Sequence, residues 1–163
     1  MTFYTTVDSP IGPLMLCGDE HALTALHLPR RHPSPGPDWR RDDARFADVA
    51  RQLAEYFAGE RTTFDVPLSP SGGGAFEREV WTELLRIPYG TTASYGELAR
   101  RLGHPTAARA VGAANGRNPI AIIVPCHRVI GSDGSLIGYG GGLDVKRTLL
   151  DLEAGRSSLA LSA

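Results

Sequence analysis

The amino-acid sequence predicts an α+β fold of two units. Three observations carry the prediction. Short apolar and β-branched runs separated by turn residues fill the N-terminal end, and apolar residues at helical spacing dominate beyond position 75. Between them lies the proline- and glycine-rich stretch Pro67-Leu-Ser-Pro-Ser-Gly-Gly-Gly74. The expected boundaries are 1–72, a small antiparallel sheet with a helix, and 73–163, a mostly helical, winged-helix-like unit carrying a helix-turn-helix.

Each element has its own signal. Strands at 3–7 and 14–17 flank the turn Ser9-Pro10-Ile11-Gly12, and a third at 23–28 follows Gly18-Asp19-Glu20. Residues 29–43, rich in Pro and Arg, read as a surface loop. Phe46, Val49, Ala50, Leu53 and Phe57 recur at helical spacing with Gly59 as the stop, and 62–66 reads as a last strand. In the second unit Phe76, Val80, Leu84 and Ile87 form one helical face, closed by Pro88-Tyr89-Gly90. Ser94-Tyr-Gly-Glu97 fits a capping box opening a helix that carries Leu98 and Leu102 and stops at Gly103. Thr106 is placed to cap a second helix at 107–114, ended by Asn115-Gly116, so the pair makes a helix-turn-helix. The short apolar run Ile120-Ala-Ile-Ile-Val124 predicts a buried extended segment, and a final helix at 143–154 should bury Leu149 and Leu150 before Gly155.

Charged content of 21% and hydrophobic content of 42% are those of an ordinary soluble globular protein. No apolar run reaches the ~20 residues a membrane span needs, and MTFYTTVDSP lacks the regions of a signal peptide. Both features lead to the expectation of a reduced, cytoplasmic protein whose two cysteines stay thiols. The net charge of −1 conceals a local basic patch: Arg100, Arg101, Arg109 and Arg117 fall within 100–117 without an acid among them. Arginine outnumbers lysine sixteen to one.

The residues able to carry chemistry cluster late in the chain. Cys126 closes the apolar run and is followed by His127 and Arg128, whose positive charge would lower a thiol pKa. The plainer reading is a small buried hydrophobe, and on an extended strand His127 would face away from Cys126 unless the chain turns or water bridges them. Glu153, flanked by leucines, needs a partner if buried, and Cys, His and Glu together would supply nucleophile, base and orienter. Asn118 before Pro119 shapes a turn. Arg109 stands in a helix, Ala107-Ala-Arg-Ala-Val-Gly-Ala-Ala114, of almost only small residues, as would suit a surface that another backbone approaches closely.

Pro125-Cys-His-Arg-Val129, with the small-residue helix around Arg109, resembles the O6-alkylguanine-DNA alkyltransferase family of bacterial type. The motifs follow in family order from about 76 to 153: Ser94-Tyr-Gly96, Ala107-Ala-Arg-Ala-Val-Gly112, Asn118-Pro119, Pro125-Cys-His-Arg-Val129, Gly138-Tyr-Gly-Gly-Gly142 and Leu149-Leu-Asp-Leu-Glu153. The resemblance implies repair of duplex DNA by direct reversal, in which an extruded guanine gives its O6 alkyl group irreversibly to Cys126. His127 would then act as base through water, Glu153 as its orienter and Asn118 as the brace of the active-site turn. Tyr95 would crowd a phosphate and donate a hydrogen bond to the base, while Arg109 enters the stack. Gly96, His104 and Ser132 would touch the DNA backbone, and Arg128, Tyr139 and Gly140 would join the DNA or substrate contacts. Many relatives carry serine at Gly140, so only its backbone amide is offered here. The resemblance implies no organic cofactor, and zinc-binding cysteines found in some relatives are missing, so no metal is expected. The implied partner is double-stranded DNA bearing the lesion, met by a monomer through the minor groove. Two other readings compete: a Cys–His hydrolase of small esters or amides, and a lesion-binding helix-turn-helix protein without chemistry.

Overall fold

The computed structural model describes residues 1–156. Strands β1 (Phe3–Val7), β2 (Leu14–Gly18) and β3 (Leu23–His27) form the predicted meander, with β1 and β2 antiparallel from Val7 opposite Leu14 to Phe3 opposite Gly18. A fourth strand, β4 (Arg40–Arg41), lies parallel to β1 and completes the order β3-β2-β1-β4. The stretch read as pure loop therefore contributes to the sheet: Arg40 N–H donates to Thr2 O at 2.9 Å and Asp42 N–H to Tyr4 O at 3.0 Å.

Residues 62–66 form no strand. Gln52, buried on α1 (Ala47–Phe57), takes the place of a neighbouring strand. Its side-chain amide donates to Asp65 O at 3.0 Å and accepts from Asp65 N–H at 2.9 Å. Pairing moves downstream, where Leu68 bridges Leu23, with Leu23 N–H donating to Pro67 O and Ser69 N–H to Leu23 O, both at 2.9 Å.

The second half holds α2 (Ala75–Leu84), α3 (Tyr95–Arg101), α4 (Ala108–Gly116) and α5 (Leu143–Glu153), with a parallel pair of two-residue strands, β5 (Ala93–Ser94) and β6 (Val129–Ile130). The capping box of α3 forms as predicted: Glu97 N–H donates to Ser94 Oγ at 3.1 Å and Ser94 N–H to the Glu97 carboxylate at 3.3 Å. Thr106 does not cap α4. The cap is Ala107, which brings no side-chain hydrogen bond. On α5 the second buried leucine is Leu152, while Leu150 is half-buried.

One hydrophobic core runs through both halves, from Leu14, Leu26 and Leu53 to Val111, Val124 and Leu149. Beyond its meander, β3 offers its free edge to the late chain: Leu26 N–H donates to Pro119 O at 2.9 Å and Ala121 N–H to Leu26 O at 3.3 Å. The first half thus holds the segment that precedes Cys126.

Candidate active site

The run Ile120-Ala-Ile-Ile-Val124 is buried but not extended. It folds back on itself, with Val124 N–H donating to Ile120 O at 3.0 Å and Ile122 at φ 72°, a conformation costly for a β-branched residue. Asn118 holds this turn from outside: its side-chain amide donates to Val124 O at 2.8 Å and Ile120 O at 3.3 Å, and its oxygen accepts from Ile120 N–H at 3.0 Å. Asn115, on the last turn of α4, donates to Cys126 O at 3.3 Å. The chain leaves this turn through Pro125 into a single 3-10 turn, Cys126–Arg128. The strand geometry that would have sent Cys126 and His127 to opposite faces is therefore absent at these residues.

His127 is fully buried and its Nε2 lies 2.7 Å from Glu153 Oε2. Burial alone would raise the Glu153 carboxyl, but hydrogen bonds from His127 and Arg128, with the guanidinium charge and that of His127 once it is protonated at low pH, outweigh it and hold the group at about 2. Facing an ionised carboxylate, Nε2 carries the hydrogen and Nδ1 keeps its lone pair. That Nδ1 is buried and has no hydrogen-bond partner among the described residues. Burial pushes the imidazole pKa below its ordinary value despite Glu153, so His127 is neutral at neutral pH, with an oriented basic nitrogen.

The thiol differs from the sequence-based expectation. Burial raises the Cys126 pKa, while the Asn118 amide, the Lys146 ammonium and the Tyr139 hydroxyl act in the opposite direction with smaller effect. Arg128, expected to lower that pKa and to meet DNA or substrate, is turned inward: Nε and Nη2 donate to the two Glu153 oxygens at 2.7 and 3.0 Å, and Nη1 to Ile87 O at 2.7 Å. The bidentate pair with Glu153 and the bond to Ile87 O turn the fork into the protein, where Arg128 is buried away from any phosphate at the surface. Cys126 is thus a thiol at rest, needing a base beside it.

Cys126 opens on a cavity of about 730 Å³. Gly112, Asn115 and Gly116 of α4 line one side, Tyr95 another, and Gly138–Gly141 a third. At Gly112 and Gly116 the α4 wall of the cavity carries no side chain.

A family model described as the 6-O-methylguanine DNA methyltransferase DNA-binding domain matches residues 75–155, and one described as the ribonuclease-like domain of the same enzyme matches residues 2–70. The chain belongs to the 6-O-methylguanine DNA methyltransferase family. It is 53% identical over 163 residues to a methylated-DNA–protein-cysteine methyltransferase of Mycobacterium tuberculosis, covering 99% of this chain and 98% of that protein. It is 51% identical over 153 residues to a protein of that name from Methanosarcina acetivorans, covering 93% and 97%. The crystal structure of M. tuberculosis OGT in complex with DNA superposes with a TM-score of 0.89 at 53% identity, covering 98% of both chains. The O6-methylguanine-DNA methyltransferase of Pyrococcus kodakaraensis gives 0.66 at 27% identity, covering 94% and 99%.

The other positions implied by the resemblance, Asn118 and Arg128 aside, fall in two groups. Tyr95, Tyr139 and Gly140 line the cavity with Cys126. Tyr95 donates to Ile137 O at 3.2 Å, and the Tyr139 hydroxyl is buried close to the Cys126 thiol, with no well-formed hydrogen bond among the described residues. Arg109, His104 and Ser132 are exposed and Gly96 is half-buried, all outside that lining. His104 rests edge-on against Phe76, 5.9 Å between ring centres.

Two members of the cluster were not foreseen. Lys146 is fully buried, donating to Val129 O at 2.6 Å and Ile137 O at 3.1 Å, so it anchors the loop 129–137 and brings a cation near Cys126. It is the single lysine among sixteen arginines, and that singularity was the available signal. Tyr56, on α1, donates to Glu153 Oε2 at 2.6 Å across 97 residues of chain, and no local pattern announces such a contact.

Proposed function

We propose that this protein repairs duplex DNA by moving the alkyl group of O6-alkylguanine, and of O4-alkylthymine where it fits, onto Cys126 in one irreversible step. The observation that carries the reading is Cys126 on the wall of a cavity of about 730 Å³ beside α4, with room for an extruded base, followed directly by a neutral His127 whose Nε2 is committed to Glu153. The lesion base leaves the stack to fill the cavity, at a cost of a few kcal/mol. The small residues of α4 let the minor groove come close, and Arg109 enters the gap in the stack.

His127 Nδ1 takes the thiol proton through a water molecule, and Glu153 stabilises the imidazolium. The sulfur attacks the alkyl carbon in line. The S–C bond forms, the C–O6 bond breaks, and the electron pair stays on guanine, which then takes up a proton. Tyr95 and backbone amides of the glycine loop donate to the departing base. The thioether product has no easy way back, so each molecule acts once, without organic cofactor or metal. Asn118 and Asn115 hold the turn that aims the sulfur; Gly96, His104 and Ser132 meet the DNA backbone.

Incubation with a duplex containing O6-methylguanine should add one methyl per protein molecule, on the peptide containing Cys126, as read by mass spectrometry. Transfer persisting in Cys126→Ala, or repeated turnover, overturns the proposal. Sustained hydrolysis of an ester would instead mark a Cys–His hydrolase, and DNA affinity with no mass change would mark a lesion binder.

A further inference from the structure

The glycine loop on the cavity wall meets the first half of the chain one residue at a time. A Cβ at Gly141 would lie 2.4 Å from a methyl carbon of Leu28, one at Gly140 would lie 3.3 Å from the Arg31 guanidinium carbon, and one at Gly142 3.5 Å from Arg30 Nη2. Only a loop without side chains lets 28–31 come this close. The two arginines then differ. Arg30 is engaged, 3.5 Å from both Asp144 and Gly141 O. Arg31 makes no ion pair or side-chain hydrogen bond among the described residues, and it lines the same cavity as Cys126 and Tyr95. The other arginine of that lining, Arg117, sits 3.5 Å from Glu77, and no Asp or Glu lines the cavity. An uncommitted guanidinium therefore stands on the wall of a site whose reaction expels an anion.

We infer that Arg31, supplied by the loop after β3, is a substrate-contacting residue: its fork takes the O6/N7 edge of the extruded guanine and stabilises the charge that develops there as the alkyl group leaves. This rests on the alkyltransferase reading above. The N7 and O6 acceptors of guanine match an arginine fork in spacing. Arg31 gives up no proton in the step, since guanidinium stays protonated; it only donates hydrogen bonds, and these strengthen as the electron pair of the broken C–O6 bond settles on the base. The first half of the chain thereby enters the chemistry and does more than hold the fold.

The test is single-turnover alkyl transfer to Cys126 at saturating O6-methylguanine duplex, alongside affinity for unmodified duplex, in the full chain. Arg31→Ala should lower the saturated rate roughly tenfold, the scale of one charge-assisted hydrogen bond, with duplex affinity and melting temperature unchanged. Arg31→Lys should restore part of it, keeping the charge but losing the fork. An unchanged rate overturns the inference, as does a weaker duplex affinity with the saturated rate intact, which would make Arg31 a phosphate contact. A wild-type protein that acquires no alkyl group overturns the alkyltransferase reading itself, and the inference with it.

Discussion

Lys146 is shut off from the surface, and burial lowers its pKa. Two carbonyl oxygens compensate, and Cys126 lies close enough for each charge to favour the other. Lys146→Met keeps the length of the side chain and removes the charge. It should destabilise the protein by roughly 2 kcal/mol or more, because two buried carbonyls lose their donor. It should also slow transfer, since the thiolate loses its nearby cation; a denaturant melt and a single-turnover assay separate the two effects. His127 sets a second expectation. Its folded pKa is below 6.5, so the neutral base persists on lowering the pH through 6.5, and the acid limb of the transfer rate should have its midpoint below that value. A midpoint at or above 6.5 would mean another group limits the step. Neither residue's setting was readable beforehand: neighbouring letters suggested charge on the thiol, while the fold spends Arg128 on Glu153 and leaves burial in control.

At the scale of elements, what was legible followed local chemistry, and what was missed followed long-range bonds. The meander, α1, the capping box of α3 and the small-residue helix α4 each have a signal within a few residues, and they form close to the expected places. The 120–124 turn shows the opposite case. Its β-branched composition correctly gave burial but wrongly gave extension, because Asn118 and the edge of β3 claim the backbone groups that a sheet would have used. Asn118→Ala strips three hydrogen bonds from a turn already strained at Ile122, so it should cost about 2 kcal/mol or more of stability. Asn118→Asp keeps the acceptor for Ile120 N–H but sets an anion against Val124 O, so it should impair transfer as well; equal rates in wild type and both variants would make the brace irrelevant. Arg109, exposed on α4, has a different expected signature. Arg109→Ala should reduce repair of duplex lesions far more than reaction with free O6-benzylguanine, whereas equal losses would place it in the fold.

Across the whole molecule the two halves share one core and one buried polar hub, since Tyr56 of the first half and His127 and Arg128 of the second all converge on Glu153. Such sharing predicts a single unfolding transition. Trp39 and Trp81 report on either half, so the Trp39→Phe and Trp81→Phe variants should each melt in one step that coincides with loss of helix; separated steps would show that the halves fold independently. The hub also fixes the pH dependence. For His127 the folded pKa lies below the unfolded one, so the unfolded chain binds a proton first and stability declines once the pH falls below about 6.5. For Glu153 the carboxyl drops from 4.5 to about 2, so its contribution is fully present above 4.5 and is lost as the pH falls from there toward 2. That contribution is on the order of 3 kcal/mol, a substantial part of the 5–15 kcal/mol typical of a folded domain. Denaturant midpoints measured from pH 8 downward should therefore begin to decline below 6.5 and fall further below 4.5. A protein most stable near pH 4 would show that Glu153 is not ionised on its three partners, and the oriented His127 would lose its support.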